Sequence, residues 1–167
     1  MTNSLSSTLH DVNERTQLTS NNQFELMLFR LGEAPDSDRR ELFGINVFKV
    51  REILVMPKIT GIANAPPQVL GVANIRGQII PVIDLPAMVG CTPRRGHNIL
   101  MVTEYARTTQ AFAVEEVDEI VRLDWSDVLA AEGNGGDLVT SIAKLDGDAG
   151  KTRLVQEAVG DLIDCWF

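Results

Sequence analysis

The chain is poor in the residues on which most enzymes and metal centres draw. It holds two histidines, His10 and His97, and two cysteines, Cys91 and Cys165. The cysteines stand far apart in sequence and form no C-x-x-C pair, so the chain reads as reduced and intracellular. With His10 in a polar tail and His97 beside a glycine, neither a histidine metal cluster nor a histidine-based triad is supported, and both read as surface residues. No apolar signal core opens the sequence, and nowhere do about 18 apolar residues run uninterrupted, as a spanning helix needs. A cytoplasmic protein is expected. Positive charge is also short, with 15 Lys and Arg against 23 Asp and Glu, a net −8. That sign opposes a phosphate backbone, and only Arg39/Arg40 and Arg94/Arg95 pair up, each beside a loop.

What is present is a pattern of short strands. Apolar residues make up 44 % and charged residues 23 % of a 167-residue chain, enough to bury its own core without metal or disulfide. Residues 1–23 form a polar tail in which Leu5, Leu9 and Val12 recur at helical spacing, and 24–167 form the folded domain. Phe24, Leu26 and Leu28 alternate with Glu25, Met27 and Phe29, which predicts a strand buried on both faces. The polar stretch 32–41 predicts a loop, and 42–47 a second strand. Lys49 to Met56 carries Val50, Ile53 and Leu54 at three- and four-residue spacing, which predicts one or two helical turns ending at Pro57.

Val69 to Ile75 and Gln78 to Asp84 are separated only by Arg76-Gly77, the strongest hairpin signal in the chain. Gly77 supplies the positive φ of a tight turn and leaves Arg76 projecting from its tip. Pro81 assigns its position to an edge or a bulge. Asp84 caps a short helix that Gly90 closes. Strands follow at 98–103, 110–114 and 119–123, then a hairpin of 138–145 with 152–156, and an apolar-spaced terminal helix on Val159, Leu162, Ile163 and Trp166. The class is mainly β with short helices, and the absence of strand-helix-strand alternation argues against a doubly wound nucleotide fold.

Motifs for chemistry fail on inspection. Gly150-Lys151-Thr152 resembles the end of a phosphate loop, but Leu145 stands where its first glycine belongs. Asp146, Asp148 and Glu157 hold the first, third and twelfth positions of a calcium loop, yet Gly150 and Lys151 occupy the third-ligand and glycine positions, so a hairpin turn is the better reading. Glu115 and Glu116, as strand neighbours, point to opposite faces and read as a solvated rim. No catalytic residue, metal site or cofactor is assigned.

Two long segments carry a resemblance. Phe43-Gly-Ile-Asn-Val-Phe-Lys-Val-Arg-Glu-Ile53 and Gly71-Val-Ala-Asn-Ile-Arg-Gly-Gln-Ile-Ile-Pro-Val-Ile-Asp-Leu85 resemble the CheW-like family of chemotaxis coupling proteins. Asn13-Glu-Arg-Thr-Gln17, Phe24-Glu-Leu-Met-Leu-Phe-Arg-Leu-Gly32, Thr103-Glu-Tyr105 and Arg122-Leu-Asp-Trp125 look most like the N-terminal CheW-like domain of CheV, and the likeness covers most of 13–155. The resemblance implies two five-stranded SH3-like β-barrel subdomains with short helices. It implies a non-catalytic adaptor between the cytoplasmic tips of chemoreceptors (methyl-accepting chemotaxis proteins) and the regulatory domain of the histidine kinase CheA, recruited to membrane-associated receptor arrays. It implies neither nucleic-acid binding nor membrane insertion.

Complete CheV proteins carry a receiver domain for which the chain leaves no room, so a fragment or a receiver-less coupling protein is expected. Matched residue by residue, the receptor-binding candidates are Glu52, Gly71, Asn74, Arg76 and Gly77. Backbone roles compete for the two glycines and Asn74, and a solvated side chain competes for Arg76. Val47 and Val50 are kinase-binding candidates for which the core is the weightier alternative. The C-terminus departs from the family: Val155-Gln-Glu-Ala-Val159 soon turns acidic and the chain ends Cys165-Trp-Phe167, from which a swapped dimer follows as one arrangement. The competing classes are a ligand-binding β-barrel enzyme and, disfavoured by charge, a nucleic-acid-binding barrel.

Overall fold

The computed structural model describes residues 22–38, 40–105, 107–130, 139–144 and 151–155. The expected N-terminal helix, the 145–150 loop, the terminal helix and the C-terminal swap lie outside them.

Among the described residues eleven strands form two sheets. The first eight are β1 (Gln23–Glu33), β2 (Arg40–Asn46), β3 (Val50–Val55), β4 (Val69–Ile75), β5 (Gln78–Asp84), β6 (Ile99–Tyr105), β7 (Thr108–Val114) and β8 (Glu116–Asp124). The last three are β9 (Val128–Ala130), β10 (Val139–Lys144) and β11 (Lys151–Val155), and helix α1 (Leu85–Val89) follows β5. One sheet has six strands in the order β8-β1-β2-β11-β10-β9, and the other five, β3-β6-β7-β5-β4. The fold is mainly β in two sheets, as the sequence implies. The sixth strand arises because a 3-10 turn, Trp125–Asp127, splits a nearly continuous run into β8 and β9. These two strands border the sheet on opposite sides, so the turn joining them draws its edges together. In the five-stranded sheet the edges approach through Thr60 and Val72, whose backbones exchange two hydrogen bonds of 2.8 Å.

β1 is buried on both faces, as its alternation predicts. Phe24, Leu26 and Leu28 pack with Leu42, Val121 and Leu123 inside the six-stranded sheet. Met27, Phe29 and Leu31 meet Ile83, Leu85, Met101 and Phe112 of the other half in a core between the sheets. A third cluster, with Ile80, Val82, Leu100 and Val102, fills the five-stranded sheet. At about 1.5–3 kcal/mol per large apolar side chain, these clusters hold the fold and cement its halves.

The hairpin β4-β5 has the predicted bounds, and α1 starts at Asp84, whose Oδ1 accepts from Ala87 N at 3.2 Å, and ends at left-handed Gly90. Pro81 is not on an edge strand, since β5 lies between β4 and β7, but the β7 ladder begins only at Val82, past the residue that lacks an N–H. The expected helical turns over 49–56 are replaced by a 3-10 turn, Val47–Lys49, and strand β3. A register shift between Val50 and Glu52 lets Val50 and Ile53 reach the inter-sheet core while Leu54 enters the five-stranded sheet. A bulged strand that packs on both faces thus mimics helical spacing.

Candidate functional site

The Arg76-Gly77 turn has φ of 53° and 83°, positive at both central residues as a tight mirror-image hairpin turn requires. Asn74 braces it, because its side-chain Oδ1 accepts from Gly77 N at 3.0 Å. Three of the candidates therefore form one local device. Gly71 belongs to another: a Cβ there would stand 2.1 Å from the carbonyl oxygen of Thr60, so glycine is what lets the chain after β3 lie against β4.

Arg76 departs from the expected free projection. Its side chain is 76 % exposed, yet Nη2 lies 3.1 Å from Oε2 of Glu52, which is only 14 % exposed. Beside this pair Arg51 Nη1 donates to Gln78 Oε1 at 2.9 Å. Two residues of β3 thus reach the β4-β5 hairpin from the other end of the strand order, which curling of the sheet permits. Glu52 Oε1 is enclosed and has no hydrogen-bond partner among the described residues; Arg51 Nε, 3.7 Å away, attracts it without bonding geometry. Ile79, the cross-strand neighbour of Asn74, and Val55, on the same strand as Glu52, are exposed large apolar residues. The hairpin around Arg76 therefore combines a guanidinium, the amides of Asn74 and Gln78 and the exposed apolar Ile79, a composition suited to protein contact.

Val47 and Val50 are not part of this group. Both are partly buried and pack against the inter-sheet core, which the competing core role already explains. Arg51, Gln78, Ile79 and Val55 were not singled out from sequence. Reading 49–56 as helix hid the strand on which Arg51 and Val55 lie exposed.

Elsewhere the structure corrects two expectations. Glu115 is not on a solvated rim: it is 2 % exposed, in the bend between β7 and β8, and it and Glu116 grip the same Arg40. The hydrogen bond to Glu116 and the field of both carboxylates raise the Arg40 pKa against the opposing effect of burial, and the same bond holds the Glu116 carboxyl below the usual range. His97 is half-buried and its Nε2 lies 2.9 Å from Asp84 Oδ1. Among the described residues no three His, Cys, Asp or Glu side chains are placed to hold a metal ion, and no helix is long and apolar enough to cross a membrane. A concavity beside the 34–38 loop is lined by Glu33, Asp36, Asp38 and Arg94 among others.

Comparison with known proteins bears on the sequence and the fold. A family model described as the CheW-like domain matches residues 25–156. Chemotaxis protein CheV3 of Helicobacter pylori is 29 % identical over 151 residues, which cover 85 % of this chain and 48 % of the relative. Chemotaxis protein CheV2 of the same organism is 26 % identical over 172 residues, 93 % of this chain and 51 % of the relative. The chain thus spans about half the length of the curated relatives it matches. Among solved structures, scaffolding protein TtCheW from Thermoanaerobacter tengcongensis superposes with a TM-score of 0.70 at 26 % identity, covering 80 % of this chain and 89 % of that one.

Proposed function

The chain belongs to the CheW-like domain family, and on that premise we propose that it is a non-catalytic adaptor that couples the cytoplasmic tips of chemoreceptors to the histidine kinase CheA. The observation that carries the reading is Arg76. A left-handed backbone costs a residue with a Cβ roughly 1 kcal/mol, and Gly or Asn would fill this turn position with less strain. An arginine kept there, mostly exposed and engaged by one carboxylate oxygen, leaves most of its five donors facing outward. Its best-matched partner is a helical tip that offers a carboxylate or helix-end carbonyls to the guanidinium and an apolar side chain to Ile79.

In this reading Glu52, Asn74, Gly77 and Gly71 act behind Arg76, as counter-charge, brace and backbone. The kinase regulatory domain takes a second, separate surface, so that one cytoplasmic adaptor holds both partners at receptor arrays and raises their effective concentration. Val47 and Val50 lie between sheets and would support that surface from beneath. The test is a binding assay with purified receptor tip and kinase regulatory domain, each alone and then together. Binding of both, with the receptor arm alone lost in Arg76→Glu, is the expected result. Receptor binding by a folded Arg76→Glu at wild-type strength would overturn the site, and binding of neither partner by the parent chain would overturn the function.

A further inference from the structure

The chain passes between its sheets twice in the described segment from β1 to β9, and the two passages are built from opposite chemistry. The first, β2 to β3, runs through Val47–Lys49 and is packed by Val47 and Val50 on the inter-sheet core. The second, from β7 of the five-stranded sheet to β8 of the six-stranded one, turns at a single residue, Glu115. Its carboxylate is buried, and its two oxygens face different partners. Oε1 accepts from Arg40 of β2, with Nε at 2.9 Å, while Oε2 accepts from the backbone N of Arg95, 3.4 Å away, in the loop that leads into β6. The backbone is held as well: Glu115 N donates to Arg30 O at 3.0 Å.

Around this carboxylate the charges balance. Arg40 Nη2 also donates to Glu116 Oε2 at 2.7 Å, and Arg95 Nη1 lies 3.9 Å from that oxygen. Arg30 bonds Asp118 through Nε at 3.1 Å and the carbonyl of Arg40 through Nη1 at 2.9 Å. Three guanidinium groups and three carboxylates from β1, β2, the passage itself, β8 and the 93–98 loop therefore meet at one crossing point. A buried carboxylate shared between fixed donors holds its arrangement, because displacement would leave the charge unpaired away from water.

We propose that Glu115, held between Arg40 and the Arg95 amide, is an ionic latch that fixes the angle between the two sheets. Arg40 acts here as a positioning residue, through Glu115. The latch needs no partner protein and stands whether or not the receptor reading of Arg76 holds. It accounts for a feature that packing alone leaves unexplained, a buried acid at the point where the chain changes sheets within a single residue, between β7 and β8. The Glu33/Thr92 backbone bridge, with two bonds of 2.9 Å, ties the same loop to β1 and sets the pivot about which an unlatched half would turn.

The test measures the distance between spin labels on the two sheets, at Ile79→Cys and Glu119→Cys, in the full chain with Cys91 and Cys165 replaced. Arg40→Met alone strands a buried charge and is expected to lower stability, so the deciding variant is the double change Arg40→Met with Glu115→Gln, which removes both charges and keeps their volume. The expected result is a shifted or broadened distance distribution, with amide-exchange protection retained in β4–β7 and in β1–β2. An unchanged distribution in the folded double variant would overturn the latch. So would a loss of protection across both sheets together, which would make the cluster part of the general core.

Discussion

Arg76 Nη2 stands 3.1 Å from Glu52 Oε2, although their strands lie at opposite ends of the sheet order β3-β6-β7-β5-β4. Proximity of the two is a product of sheet curvature: neither strand neighbours the other in the ladder, yet a hairpin tip on one border rests on the first strand of the other. An arginine in this position has both its backbone and its charge determined by the fold.

Replacing Arg76 by Asn separates these two determinants. Asn accepts a left-handed backbone more readily than Arg, so stability is expected to stay within about 1 kcal/mol of the parent or to rise slightly, while receptor-tip affinity falls by roughly tenfold or more, the effect of losing one charge-assisted contact. Urea titration and a binding isotherm on the same preparation check both halves. A stability loss well beyond that range would make the Glu52 contact structural.

Glycines 71 and 77 are expected to respond differently to alanine. At Gly71 the new Cβ would meet backbone atoms of Thr60 and Gly61, the first at 2.1 Å, and the cost should reach several kcal/mol, about 2–4. At Gly77 no atom lies within 4 Å of a Cβ, so only the positive φ is penalised, about 1 kcal/mol. Equal unfolding midpoints for the two variants would contradict the close approach of the Thr60 segment to β4.

Phe29 is fully buried in the inter-sheet core, its ring 6.0 Å from that of Phe43. Phe29→Ala is expected to cost about 3–5 kcal/mol, enough to unfold a marginal domain at 25 °C. Phe48→Ala, at an exposed site in the turn before β3, is expected to change stability by less than about 1 kcal/mol. Denaturant midpoints rank the pair.

Acid should weaken the crossing cluster. The Arg40 guanidinium holds the Glu116 carboxyl below its ordinary value of 4.5, so the ionised form is favoured by folding. The stabilisation is complete above the unfolded value and is lost as pH falls through the lower folded one. Glu116 is 44 % exposed, so solvent screening limits the effect to about 1 kcal/mol or less. Stability measured from neutral pH downwards should fall less steeply over that window in Glu116→Gln than in the parent; parallel curves would count against the assignment.

Local chemistry made much of the fold legible. The Arg76-Gly77 pair between β-branched runs specified a hairpin, Asp84 and Gly90 bracketed α1, and the double-faced apolar pattern of Phe24 to Phe29 announced a strand between two cores. What escaped was set by contacts between distant segments. β3 looked helical because a bulge shifted its side chains between two cores. Glu115 looked solvated because the arginine that buries it is 75 positions away. For the candidate site, the turn was readable from its own residues, whereas the Glu52 partnership depended on curvature that no local pattern encodes.

The strand order has a consequence for how the molecule is made. All five strands of one sheet lie in the continuous segment from Val50 to Val114, whereas the other sheet joins β1 and β2 to strands that end at Val155. During synthesis the first can therefore assemble while β1 and β2 still wait for β8 to β11, and the long loop closure that pairs Phe24 with Leu123 comes late. Nascent chains arrested with Val114 just outside the ribosome are expected to protect β4 to β7 from proteolysis while β1 remains open to cleavage. Simultaneous protection of both sheets, only after Val155 emerges, would argue for a single cooperative step.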